Sequence, residues 1–140
     1  QCVRGDRVVQ VVRRNKEIRD EEGVRKKFGV GPGLIPDYLA LVGDAQDGYP
    51  GIRGIGSATA ASLLNRYGPI EQFPPAVLGS EQETALLFKR LATLRSDAPL
   101  FAEVEALEWR GPTREFPGWV ERMGDTRLLD RCSKAALLEL

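Results

Sequence analysis

Asp44 and Asp47 stand three residues apart in a stretch, Gly43 to Gly56, that holds five glycines and one proline in fourteen residues. Carboxylates so spaced can face one point, and hard divalent ions such as Mg²⁺ or Mn²⁺ take oxygen ligands. The same spacing also suits Asx-turns, in which an aspartate accepts hydrogen bonds from the backbone just after it. Both readings are open on spacing alone. Histidine is absent from the chain, which excludes Ser-His-Asp triads, Cys-His nucleophile pairs and His-based zinc sites within it. Cys2 and Cys132 lie at opposite ends, so CxxC redox and zinc-ribbon patterns are excluded too. Chemistry here falls to carboxylates, metal ions, Lys/Arg and backbone dipoles.

Just beyond the aspartates, Ile52-Arg53-Gly54-Ile55-Gly56 has the form of a loop joining two helices, a helix-hairpin-helix. The first backbone N–H groups of the second helix, starting near Ser57, have no partner within the helix and point outward. Gly54 and Gly56 leave no side chain to block an anion there, the helix dipole favours one, and Arg53 adds a positive charge. Such contacts grip a sugar-phosphate backbone without reading bases. The alternative is a tight turn whose glycines serve packing alone. Tyr49 could stack on a base, whereas Tyr38 falls on an apolar stripe and belongs to the core.

The elements that must position these residues are mostly helical. A β-branched run over residues 7–12 predicts a strand, entered by a turn at Arg4-Gly5-Asp6. Asp20 is placed to cap a helix ended by Gly29, with Glu21 and Glu22 at its positive end and Lys26 and Lys27 at its negative end. Leu34, Ile35, Tyr38, Leu39 and Val42 predict a helix over 34–42, and Ala60, Leu63 and Leu64 one over 57–67. Gly68-Pro69 ends the latter and opens a short helix towards Phe73. Ser80-Glu81-Gln82-Glu83 reads as a capping box for a helix reaching about Arg95, with Leu87, Leu91 and Leu94 inward. Residues 97–112 read as irregular, followed by helices over 114–123 and 126–139, the second capped by Asp125. One strand cannot stand alone, so its neighbours are expected outside this chain. The expected fold class is a mainly α fragment of an α/β fold.

Twenty Lys+Arg balance twenty Asp+Glu, so net charge names no partner. The distribution is uneven: residues 1–28 carry nine basic against five acidic side chains, and arginine outnumbers lysine fifteen to five. Arginine is the better fork for phosphate. No apolar stretch approaches the length of a membrane span. Two lone cysteines suit a reducing, cytoplasmic setting.

The segment Tyr38-Leu39-Ala40-Leu41-Val42-Gly43-Asp44-Ala45-Gln46-Asp47-Gly48-Tyr49-Pro50-Gly51-Ile52-Arg53-Gly54-Ile55-Gly56 resembles the metal-ligand and helix-hairpin-helix segment of the 5′-nuclease superfamily. That superfamily includes flap endonucleases and the 5′–3′ exonuclease domain of bacterial DNA polymerase I. Its pattern is Gly-Asp, two residues, Asp, then Pro-Gly, a short gap and Gly-Ile-Gly. The resemblance extends outwards over most of the chain but matches only the C-terminal half of the family's domain. It implies that residues 1–140 are the C-terminal part of a 5′–3′ exonuclease domain, with the helix-hairpin-helix region at about 34–78. Asp44 and Asp47 would be ligands of the second catalytic metal of a two-metal phosphodiester hydrolase acting in DNA replication and repair. Ile52, Ile55 and Ser57 would hold a monovalent cation such as K⁺ against duplex phosphates. Arg53, Gly54, Ile55, Gly56 and Ser57 would contact duplex or flap DNA without sequence preference.

Two residues depart from the family pattern. Gly48 stands where an Asn is usual after the second aspartate, and Ala58 where a Lys is usual after Gly-Ile-Gly. Gln1 begins just after the point where a Gly-Asp-Lys-Asp-Leu stretch would be expected. The N-terminal half, which in the family supplies most of the sheet and the other acidic ligands, is therefore expected to lie outside this chain. A non-catalytic helix-hairpin-helix DNA-binding module and a helical protein-interaction domain are the alternative functions.

Overall fold

Val11 and Ile18 face each other across an antiparallel hairpin formed by β1 (Gln10–Val12) and β2 (Glu17–Arg19). The strand expected over 7–12 is thus shorter at its start, and it finds a partner within the chain. The sequence hid β2 because its turn, Arg13-Arg14-Asn15-Lys16, lacks the Asn-Gly or Gly-X pair that marks a tight hairpin. Arg4 and Val8 form an isolated bridge around the expected turn at Gly5 and Asp6.

The structure, a computed structural model, describes residues 1–137. It comprises two compact units, Gln1–Ser96 and the residues from Asp97 on. In the first unit, α1 (Glu21–Phe28) is capped by the Asp20 side chain, which accepts from Gly23 N at 2.8 Å. Gly29, at φ 74°, closes it by donating from its N–H to Arg25 O. A 3₁₀ turn at Pro32–Leu34 leads into α2 (Ile35–Val42), which tolerates Pro36 because the first turn has no N–H to lose. Next come the loop 43–56 and α3 (Ser57–Tyr67). A 3₁₀ turn at Ile70–Gln72, the single turn α4 (Pro75–Leu78) and α5 (Gln82–Ala92) complete the unit.

The core gathers around α2. Leu41 and Ala40 are wholly buried, as are Val30, Ile70 and Ala85. Burying a leucine side chain is worth about 1.5–3 kcal/mol. Six of the eight residues of α2 are buried, so the helix is enclosed on more faces than the one stripe read from its sequence.

α5 corrects two expectations. The capping box does not form: Ser80 lies within a 3₁₀ turn at Gly79–Glu81, and Glu81, at the N-cap, makes no side-chain cap bond. Leu87, Leu91 and Leu94 point outward, each more than half exposed. Two contacts fix the helix's rotation instead. Phe88 stacks on Tyr49 with ring centroids 5.6 Å apart, and Lys89 Nζ pairs with the buried Asp37 carboxylate at 2.8 Å. With Phe88 and Lys89 inward, the small residues Ala85 and Ala92 share their face and Leu87 and Leu91 are carried to the opposite one, while the helix expected to reach Arg95 ends at Ala92 and leaves Leu94 beyond it.

The second unit holds a 3₁₀ turn at Val104–Leu107, then α6 (Phe116–Met123) and α7 (Thr126–Leu137). Gly124, at φ 69°, ends α6, and the Asp125 side chain accepts from Leu128 N at 3.2 Å to cap α7. The expected end of α7 at 139 lies outside the described residues. The mainly α class is what the structure shows, with a two-stranded sheet in place of one strand.

Candidate metal site and nucleic-acid interface

α2 ends at Gly43, and the chain turns through a loop that returns beside its own start. Asp44 N donates to Tyr49 O at 3.0 Å and Tyr49 N donates to Asp44 O at 3.2 Å, closing a six-residue ring. Below it, Ile52 N donates to Leu41 O at 2.8 Å. Gly43 (φ 89°) and Gly51 (φ 74°) make this closure possible. A Cβ on Gly43 would fall 2.5 Å from Pro50 C, and one on Gly51 would collide with the backbone of Val42 and Gly43. Neither position admits another residue without moving the loop. Gly48, also left-handed at φ 82°, occupies the place where the family pattern has Asn. Asn is the other residue that tolerates this conformation, so the departure preserves the backbone.

The ring brings Asp44 and Asp47 into one small loop. Asp44 Oδ1 accepts from Gln46 N at 2.9 Å and from Asp47 N at 3.4 Å, the Asx-turn that the spacing also allowed. Asp47 is exposed, and its carboxylate makes no hydrogen bond or ion pair among the described residues. Both aspartates lie close enough to Tyr49 to act on its phenol, which is pushed above its ordinary pKa first by burial and then by their negative charge. The Tyr49 hydroxyl is buried with no hydrogen-bond partner among the described residues, and its ring is covered by Phe88. Tyr49 therefore cannot stack on a base. Tyr38 is buried in the core, edge-on to Phe28, as expected.

The donor set of this loop suits a hard cation in part. Asp44 lines a concave surface with Gly43, Gly48 and Tyr49, while Asp47 stands exposed three residues on, outside that lining; one oxygen of Asp44 and both of Asp47 make no contact among the described residues. Among the described residues no group of three or more His, Cys, Asp or Glu side chains converges. The pair can furnish part of a Mg²⁺ or Mn²⁺ site and needs further acidic ligands to complete it.

The second feature is the start of α3. Ile52 is buried and Ile55 packs against the core, which anchors the hairpin between them. Ile55 N donates to Ile52 O at 3.0 Å, making the turn that carries Arg53 and Gly54 outward. Gly54 takes φ 84°. Gly56 does not: it has φ −90° and ψ 179°, extended backbone open to any residue, and a Cβ there would meet nothing within 4 Å. Gly56 is thus the N-cap of an eleven-residue helix with no side-chain cap. The N–H groups of Ser57, Ala58 and Thr59 have no partner among the described residues, and Arg53, exposed in the preceding turn, makes no ion pair among them. Ala58 is exposed in the first turn, so the family's lysine is missing where it would meet solvent. The Ser57 hydroxyl and the Ile55 carbonyl accept no hydrogen bond among the described residues. Ile52 O, by contrast, already accepts from Ile55 N at 3.0 Å.

The sequence pointed to the open helix start, which the structure shows, and to Asp44 and Asp47, which it places in one loop. Sequence reasoning missed the Gly43–Gly51 clamp and the covering of Tyr49 by Phe88. The clamp had a signal, glycines at both ends of the loop, whereas the stack joins residues far apart in sequence and had none.

A loop with two carboxylates thus leads directly into the open N-terminus of α3. Residues 30–115 match the family described as 5'-3' exonuclease, C-terminal SAM fold. The chain belongs to that family. It is 39% identical over 114 residues to a DNA polymerase I of Pseudomonas aeruginosa, covering 69% of this chain and 12% of that one. It is also 39% identical over 109 residues to a 5'-3' exonuclease of Aquifex aeolicus, covering 70% and 36%. To a Flap endonuclease Xni of Yersinia enterocolitica it is 36% identical over 94 residues, covering 60% and 38%. The match thus spans little more than a third of the shorter relatives and about an eighth of the polymerase.

Proposed function

We propose that this chain is the duplex-holding part of a nuclease that hydrolyses DNA phosphodiesters, in the 5′–3′ direction or at flaps, and that it supplies part of one metal site. The observation that carries the reading is the start of α3: three unpaired N–H groups at an uncapped helix end, Gly54 and Gly56 leaving the approach clear, and Arg53 exposed alongside. That arrangement accepts a phosphate and no bulkier apolar group. Contacts of this kind hold any sequence equally, which suits an enzyme that selects its substrate by shape.

Asp44 and Asp47 would hold a divalent cation, Mg²⁺ or Mn²⁺, together with acidic ligands from protein outside these 140 residues. Bound there, the ion supplies stabilisation of charge developing on phosphate oxygens. The chain's own part is to present the two carboxylates on a clamped loop a few residues from the phosphate-binding turn. Ile52, Ile55 and Ser57 would hold a monovalent cation such as K⁺ beside the same backbone. On this reading the protein serves DNA replication or repair. No helix among the described residues is long and apolar enough to cross a membrane.

A non-catalytic duplex-binding module is the second reading. It is favoured by one observation: Asp44 already uses Oδ1 to hold its own turn. The 140-residue chain tests the binding shared by both. It should bind duplex DNA with an affinity that falls steeply with salt, and it should not cleave a flap substrate in Mg²⁺, because its ligand set is partial. Chelator-sensitive cleavage by the chain would overturn the partial-site reading. Absence of any duplex binding would overturn the nucleic-acid reading itself.

A further inference from the structure

The turn between β1 and β2 is Arg13-Arg14-Asn15-Lys16, and all four residues are exposed. The carboxylate beside them is already committed. Glu17 Oε2 accepts from Asn15 Nδ2 at 2.9 Å, and its Oε1 pairs with the Arg19 guanidinium at 2.8 Å. Those two partners, Asn15 foremost, hold the Glu17 carboxyl below its ordinary range. Arg13, Arg14 and Lys16 themselves make no hydrogen bond or ion pair among the described residues. Three positive charges are thus left uncompensated within four residues, on a chain whose net charge is zero.

The backbone adds a second observation. Lys16 takes φ 56°, and no other non-glycine residue among those described has positive φ. Glycine or asparagine fills that conformation with less strain. A lysine kept there, beside two arginines that repel it, gives the fold nothing that a neutral residue would not give better. Strain of this kind persists where the side chain serves something outside the fold.

We propose that the tip of the β1–β2 hairpin is a second contact for the phosphate backbone of duplex DNA, distinct from the start of α3. The proposal rests on the nucleic-acid reading above. Arg13 and Arg14 present planar forks that can take two phosphate oxygens each, and Lys16 adds a point charge. The tip belongs to the same compact unit as α3. Directed at phosphate oxygens, which every nucleotide presents alike, these side chains make a contact that is independent of sequence.

Each phosphate neutralised by the protein releases counterions and steepens the salt dependence by about 0.9 in the slope of log K against log salt. The test compares the unchanged chain, the triple variant R13Q/R14Q/K16Q, and a control, R114Q/R127Q/R131Q, that removes the same charge from the second unit. Affinity for a blunt duplex is measured from about 50 to about 200 mM salt. The tip variant should keep its melting temperature, bind at least about tenfold more weakly at the low-salt end, and show a slope shallower by about 2 to 3. The control should follow the unchanged chain. A tip variant with unchanged slope overturns the proposal while leaving the α3 contact standing. So does an equal loss in the control, which would show an effect of net charge alone. An unchanged chain that does not bind duplex at all overturns the proposal together with the reading it rests on.

Discussion

Asp44 and Asp47 carry the same charge but do different work in the folded chain. Asp44 Oδ1 holds the turn by accepting two backbone N–H groups, whereas the Asp47 carboxylate meets no donor among the described residues. Asparagine can make the same turn through its side-chain oxygen. Replacing both aspartates by Asn should therefore leave stability within about 0.5 kcal/mol of the parent, as for surface changes that break no contact. In a longer protein that joins this chain to the further acidic ligands proposed above, the same double variant should lose metal-dependent cleavage by orders of magnitude, since metal stabilisation of developing charge is worth several kcal/mol. Thermal melting and a flap-cleavage assay over a range of Mg²⁺ check the two halves. Retained cleavage would reduce the aspartates to turn-formers. The spacing of the pair was legible because both candidate roles depend on local sequence. The strain-bearing residue Lys16 was not, since nothing in Arg-Arg-Asn-Lys announces a left-handed position.

At the scale of elements, the start of α3 trades stability for an open face. Gly56 lies at the N-cap with φ −90° and ψ 179°, the backbone that a capping side chain uses, and with free space around its missing Cβ. Gly56→Asp can therefore be accommodated without strain. Its carboxylate would accept the unpaired N–H of Ala58 or Thr59 and complement the helix dipole. Such a cap should stabilise the chain by about 1 kcal/mol. The same carboxylate would occupy and repel the proposed phosphate position. A raised melting temperature with weakened duplex binding is the expected pair of results, and unweakened binding would move the contact away from α3. Element positions were largely readable: Asp20 and Gly29 around α1 and Gly124 after α6 rest on local capping chemistry, and the span 57–67 of α3 on its apolar spacing and the stop at Gly68. The rotation of α5 was not. Leu87, Leu91 and Leu94 form as good a stripe as any, but the buried Asp37 and Tyr49 lie some forty or fifty residues away in sequence. Their contacts with Lys89 and Phe88 decide which face turns inward.

For the molecule as a whole, the Asp37–Lys89–Glu71 cluster ties the unit together. Asp37, 2% exposed, accepts from Ile70 N at 2.8 Å and pairs with Lys89, which also reaches Glu71 at 2.6 Å. α2, α5 and the turn after α3 thus meet at one ammonium group. Burial pulls the Lys89 pKa down, but the hydrogen bonds to Asp37 and Glu71 outweigh it and leave the pKa above its ordinary 10.5. The bond from Lys89 leads the causes that hold the Glu71 carboxyl below 4.5. For a group with a raised pKa, the stabilisation is present below its ordinary value and is lost as pH climbs through the raised one; for a lowered carboxylate it is present above and lost on acidification. The cluster should therefore be intact at neutral pH and loosen at both extremes. Lys89→Met would leave the Asp37 charge buried without its cation, a loss of about 3–5 kcal/mol. Adding Asp37→Asn, which removes the stranded charge and keeps an oxygen for Ile70 N, should recover much of that. Denaturant melts of the parent, the single and the double variant measure both effects. The parent alone should lose stability above about pH 10.5 by this route, and an alkaline limb of the same size in the Lys89→Met variant would show that Lys89 is not its source.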